Sequence, residues 1–96
     1  LTTYKLTFRK QALKEWRKLS HPVREQFKKR LVERLENPRV ESARLSGLTN
    51  AYKIKLRSAG YRLVYEVRDE ALVVSVVAIG KRERNAVYRQ AEKRLE

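Results

Sequence analysis

Cysteine is absent from this sequence, which excludes disulfides and thiolate chemistry. Histidine occurs once, at position 21, and a lone imidazole without cysteine argues against a transition-metal site. No metal and no other cofactor is therefore expected. No apolar run is long enough to span a bilayer, and no signal-peptide pattern is visible, so a cytoplasmic protein without membrane contact is expected. Aromatics are few, with one Trp, five Tyr and two Phe, so a core must come mostly from Leu, Val, Ile and Ala. Acidic residues are scarce as well: 11 Asp and Glu stand against 24 Lys and Arg, a net charge of +13 on 96 residues. Such an excess repels itself, and a polyanionic partner is the usual reason to carry it. Nucleic acid is the first candidate. Membrane surface is the second, and it is set back because the apolar faces of the basic helices are needed to cover a sheet.

What is present falls in periodic runs, so the chain reads as one folded domain over residues 1–96 with a charged surface. Tyr4, Leu6 and Phe8 alternate as in a half-buried strand. Ala12, Leu13, Trp16 and Leu19 fall at helical spacing. Ser20-His21-Pro22 interrupts, with Ser20 or His21 as a cap. Val23, Phe27, Leu31 and Leu35 mark a second helix that ends at Asn37-Pro38. Residues 39–50 read as a loop. Strands are expected over Tyr52–Arg57, Tyr61–Val67 and Leu72–Ile79, the last apolar enough to be interior and covered on both sides, with Gly80-Lys81 breaking it. A final helix spans Asn85–Leu95. The expected fold is α+β, in the order β-α-α-β-β-β-α: a small, mostly antiparallel four-stranded sheet covered by an N-terminal helical hairpin, with a C-terminal helix.

The hairpin of the second and third strands carries the chemistry. Tyr52, Ile54 and Leu56 must join Tyr61, Leu63 and Tyr65 on the core side, because a one-residue slip would bury Lys53 and Lys55. The expected register sets Arg57 opposite Arg62, Lys55 opposite Val64 and Lys53 opposite Glu66, with the turn at Ser58–Tyr61. The other face then carries Lys53, Lys55, Arg57 and Arg62, relieved only by Glu66. This is either a solvated charged face or an anion site. Lys81, Arg82 and Arg84 add cations beyond the interior strand. Tyr88 lies one step off the Val87–Ala91–Leu95 stripe, as a boundary residue with its hydroxyl in solvent.

The tract Tyr52-Lys53-Ile54-Lys55-Leu56-Arg57 with Gly60-Tyr61-Arg62-Leu63-Val64-Tyr65, then Gly80-Lys81-Arg82 and Val87-Tyr88, resembles the RelE toxins of the RelE/ParE superfamily. Residues 12–19 and 23–26 match as well, so the resemblance covers essentially the whole chain. It implies a RelE-like, microbial-RNase type of fold and ribosome-dependent cleavage of messenger RNA in the A site. It implies that Lys53 and Lys55 are active-site lysines and that Arg62 stabilises the phosphate. Arg82 would sit near the leaving group, and Tyr88 would stack on a base and assist proton transfer. Arg44, Arg57, Lys81, Arg84 and Arg89 are expected to contact RNA or the ribosome. Some relatives have an arginine before the loop glycine where this chain has Ser46, with Arg44 nearby. The partners implied are a RelB-like antitoxin, the 70S ribosome with its 16S RNA, and messenger RNA. Operator DNA is implied only indirectly, through a co-repressing toxin–antitoxin complex.

Metal-free cleavage makes the ribose 2′-hydroxyl the nucleophile. Its proton must be removed, the phosphorane stabilised and the leaving oxygen protonated. His21, at a helix start, reads as a turn or capping residue, so cations and tyrosine must do this work. Clustered cations lower a lysine pKa, and Lys55 is the expected base. Two alternatives share the composition: a ParE-like toxin that binds gyrase without cutting RNA, and a non-catalytic nucleic-acid-binding protein.

Overall fold

A computed structural model describes residues 3–95. Strand β1 (Lys5–Phe8) leads into helices α1 (Lys10–Lys18) and α2 (His21–Glu36). A 3-10 turn over Glu41–Ala43 follows, then β2 (Ala51–Leu56), β3 (Tyr61–Arg68), β4 (Val73–Lys81) and helix α3 (Ala86–Leu95). The sheet order is β1-β4-β3-β2, with β1 parallel to β4 and the other pairs antiparallel. This is the α+β fold expected.

Leu19 and Ser20 are both extended, which separates the first two helices. Pro22 falls in the first turn of α2, where its missing N–H leaves no gap in the helix. The expected side-chain cap by Ser20 is not formed; the guanidinium of Arg24 donates instead to the Leu19 carbonyl at 2.9 Å. Phe27 and Leu31 of α2 and Ala12 of α1 bury against Ile54, Leu63, Tyr65, Val74 and Val76 on one face of the sheet. On the other face, Val87 and Ala91 of α3 bury against Ala51, Val64, Val77 and Ala78. Helices thus cover both sides of β4, as its apolar run requires.

A β-bulge breaks the alternation in β4. Val64 pairs with Ala78, yet Tyr65 pairs with Val76. Val77 is the extra residue, so Val77 and Ala78 both turn toward α3. The strand does not end at Gly80 as expected: it runs to Lys81, and Gly80 pairs with Arg62. A Cβ at Gly80 would lie 3.0 Å from a methyl of Val87, so this glycine lets the first turn of α3 lie against the sheet.

The β2–β3 register corrects the expectation by two residues. Lys55 pairs with Arg62, Lys53 with Val64 and Ala51 with Glu66. The faces are as expected, because a shift of two preserves them. The turn is Arg57–Gly60, closed by the Gly60 N–H on the Leu56 carbonyl at 2.9 Å, with Gly60 at φ +71°. Arg57 therefore leaves the ladder, and no arginine pair faces across it. Glu66 does not relieve the lysines either; it contacts Arg9 at 3.4 Å.

Candidate active site

The end of the β3–β4 ladder and the start of α3 enclose a cleft of about 180 Å³. Lys55, Arg62, Lys81, Arg82, Arg84 and Tyr88 line it, with Glu83 the one acidic residue among the lining side chains. Arg62 is flanked by Lys55 on one strand and by Gly80 on the other, so no side chain fills the Gly80 side. Arg62 is only 9% exposed, and one of its guanidinium nitrogens donates to the Tyr61 carbonyl at 3.2 Å. A buried, forked donor at the base of a cationic cleft suits a phosphate.

The loop that carries Arg82 is held at several points. The Arg82 N–H donates to the Gly60 carbonyl at 2.7 Å, tying the loop to the hairpin turn. Arg84 and Asn85 adopt φ of +41° and +62°, left-handed values that strain non-glycine residues. Arg89 supports them, its guanidinium donating to the Arg84 carbonyl at 2.7 Å.

Lys53 does not line the cleft; its Nζ stands 5.7 Å from the centroid of the Tyr88 ring. The Tyr88 hydroxyl departs from expectation, being buried without a hydrogen-bond partner among the described residues. The pKa of Lys55 is lowered from its ordinary value, first by the charge of Lys53, then by desolvation, then by Arg62 and Arg57.

Lys53 and Lys55 also line a second, wider groove between α2 and β2, with Arg30, Arg34 and Arg57. Arg57 is exposed there at the hairpin turn. Arg44 lies elsewhere, in the loop before β2, paired with Glu41 at 3.2 Å. His21 is exposed at the start of α2 and does not line the cleft.

The structure thus gathers Lys55, Arg62, Arg82 and Tyr88 at one cleft, with Lys81 and Arg84 at its wall and Lys53 against Tyr88. Sequence reasoning missed Glu83 and Asn85 as lining residues; the Lys-Arg-Glu-Arg-Asn run after β4 was the available signal. It also missed Glu15 and Arg94, an ion pair joining α1 to α3 at 2.9 Å.

Residues 6–86 match the family of ParE toxins of type II toxin-antitoxin systems (parDE). The chain is 61% identical over 92 residues to the mRNA interferase toxin RelE of Escherichia coli K12, covering 96% of this chain and 97% of that one. It is similar to a mutant of the E. coli toxin RelE in the free state, with 57% identity, a TM-score of 0.90 and coverage of 98% and 99%. It is also similar to a chain of the intact E. coli RelBE toxin-antitoxin complex, with 62% identity, a TM-score of 0.81 and coverage of 84% of this chain and 99% of that one. The chain belongs to the RelE/ParE family of type II toxins, among its RelE members.

Proposed function

We propose that this chain is an endoribonuclease toxin that cleaves messenger RNA in the ribosomal A site. The observation that carries the reading is the convergence of Lys55, Arg62, Arg82 and Tyr88 on one cleft. The relative at 61% identity is an mRNA interferase toxin. In the proposed reaction the amine of Lys55 takes the proton of a ribose 2′-hydroxyl. The 2′-oxygen attacks the adjacent phosphorus, and the bond to the 5′-oxygen breaks. A 2′,3′-cyclic phosphate and a 5′-hydroxyl end result, the departing oxygen gaining its proton from solvent. Arg62 holds the phosphate and the extra charge of the phosphorane. Arg82 stabilises the leaving oxygen with the charge of its guanidinium. Lys53 keeps Lys55 inclined to neutrality and holds the Tyr88 ring, which stacks on a base.

An acid–base set of this kind is weak. The ribosome supplies the missing element by holding the messenger in line for attack, and its 16S RNA offers phosphates to the basic surface that includes Arg57, Arg84 and Arg89. The toxin acts in the cytoplasm on the 70S particle. A RelB-like antitoxin holds it inactive, as expected from its similarity to a chain of the RelBE complex, and operator DNA is reached only through that complex.

The reading is tested with Lys53→Ala and Arg82→Ala in a translation-arrest assay. Both variants should fold and lose arrest; normal arrest by both would remove the nuclease reading. Ribosome binding by the unaltered protein should weaken steeply with salt.

A further inference from the structure

Helix α3 carries Tyr88 and buries Val87 and Ala91 against the sheet, with Tyr88 and Leu95 packed there in part. Only two of its side chains are buried outright, a short apolar contact for a helix of ten residues. A polar clasp at the far end of the helix supplies what they do not. The guanidinium of Arg94 donates to both carboxylate oxygens of Glu15, at 2.9 and 3.0 Å, and its Nη1 also donates to the Val77 carbonyl at 2.8 Å. Glu15 Oε1 accepts the Ile79 N–H at 3.0 Å. Arg9 donates to the backbone carbonyl of Arg94 at 2.7 Å. Val77 is the extra residue of the β4 bulge, and Ile79 lies two residues beyond it, past the end of the β1 pairing at Val76. One carboxylate and one guanidinium thus satisfy one backbone group at the bulge and one beyond it, and join α1, β4 and α3 at a single point.

The Arg94 side chain is 11% exposed. A buried ion pair adds little net stability over an apolar contact of the same shape, whereas a two-armed pair fixes relative orientation. Arg94 lies about 9 Å further along the helix axis than Tyr88. At the opposite end, Val87 abuts Gly80. The helix is therefore held at both ends, with Tyr88 between the two holds.

We infer that Glu15 and Arg94 are positioning residues for Tyr88: their clasp sets the rotation and height of α3 that bring the Tyr88 ring to the cleft and against Lys53. Its catalytic consequence rests on the RNA-cleavage reading; its structural part does not.

The test uses Glu15→Gln, which keeps an acceptor for the Ile79 N–H but loses the two-armed charge pair, and Arg94→Lys, which keeps the charge but loses the fork. The first readout is the nuclear Overhauser contact between the Lys53 side chain and the Tyr88 ring, recorded beside the β3–β4 cross-strand contacts. In both variants the ring contact should vanish while the sheet contacts persist. The second is cleavage of ribosome-bound messenger. There kcat should fall about 10- to 100-fold with KM little changed. The same substitutions made on Tyr88→Ala should change kcat by less than about twofold. The inference is overturned if the ring contact survives in both variants, or if the sheet contacts are lost with it. It is equally overturned if the kcat losses are as large on Tyr88→Ala. Absence of cleavage by the unaltered protein would instead remove the nuclease reading, and the ring contact would still decide the clasp.

Discussion

Lys55 and Arg62 are direct partners across the β2–β3 ladder, two cations on one face at the base of a cleft. Like charges set opposite each other weaken a sheet, so the pairing costs stability in the free protein, and the phosphate of the proposed substrate would relieve it. Arg62→Gln should therefore leave the free protein as stable as before or slightly more so. It should reduce messenger cleavage about 100- to 1,000-fold, the usual loss when a donor to a developing oxyanion is removed. Urea melts and single-turnover cleavage check the two limbs.

The pH profile of cleavage follows from the neighbours of Lys55. Lys53 is the largest influence lowering its pKa. In the proposed mechanism the neutral amine of Lys55 is the base, so the rate should rise with pH through its pKa. Lys53→Met removes a nearby charge and lets that pKa climb. The acid limb of the kcat profile should then shift to higher pH, with the largest loss of rate at neutral pH and partial recovery in alkali. An unshifted limb would exclude Lys55 as the base.

Gly80 tests how closely α3 must approach the sheet. Gly80→Ala brings a Cβ to 3.0 Å from a Val87 methyl within a packed cluster. It should destabilise the protein by about 1–3 kcal/mol. Val87→Ala in the same background should return part of that loss, which a thermal melt of the three proteins would show.

Tyr65 is fully buried, stacked on Tyr52 at 5.7 Å between ring centroids. Its hydroxyl donates to the Pro38 carbonyl at 2.7 Å and accepts from Arg34 at 2.8 Å. Tyr65→Phe keeps the stack, strands the Pro38 carbonyl and leaves that Arg34 nitrogen only its 3.3 Å bond to the Lys53 carbonyl. A loss of about 1–3 kcal/mol in urea unfolding is expected, without effect on the cleft.

Asp69 predicts an acid dependence. Its pKa is lowered from 3.8, first by the hydrogen bond from Arg39 and then by that from Tyr4. The folded value lies below the unfolded one, so the stabilisation is present above the unfolded pKa and is lost as pH falls through the folded one. Asp69→Asn should lower Tm at neutral pH, and the difference should close in acid below the ordinary carboxylate value.

The sequence was legible where one periodicity met one environment. The apolar run of β4 identified an interior strand, and the alternation in β2 identified its two faces. Register was not legible, because a two-residue shift leaves every side chain on the same face. The choice fell to a backbone feature, the left-handed Gly60 that closes the Arg57–Gly60 turn. The bulge at Val77 was hidden for the same reason, since an all-apolar strand shows no break when the alternation slips. At the site, the cations were visible as a cluster because Lys53, Lys55, Arg57 and Arg62 lie on one hairpin. The Tyr88 hydroxyl was placed wrongly, because helical angle locates a ring but not the depth of its tip. Glu15 gave no signal at all: its partner lies 79 residues away, and a glutamate on a basic helix reads as an ordinary surface residue.

The most direct test of the account is to map messenger 5′ ends on programmed 70S ribosomes after adding the purified protein. New 5′-hydroxyl ends should appear within the A-site codon, should depend on the ribosome, and should disappear with Lys55→Ala. No new ends, or the same ends produced by Lys55→Ala, would contradict it.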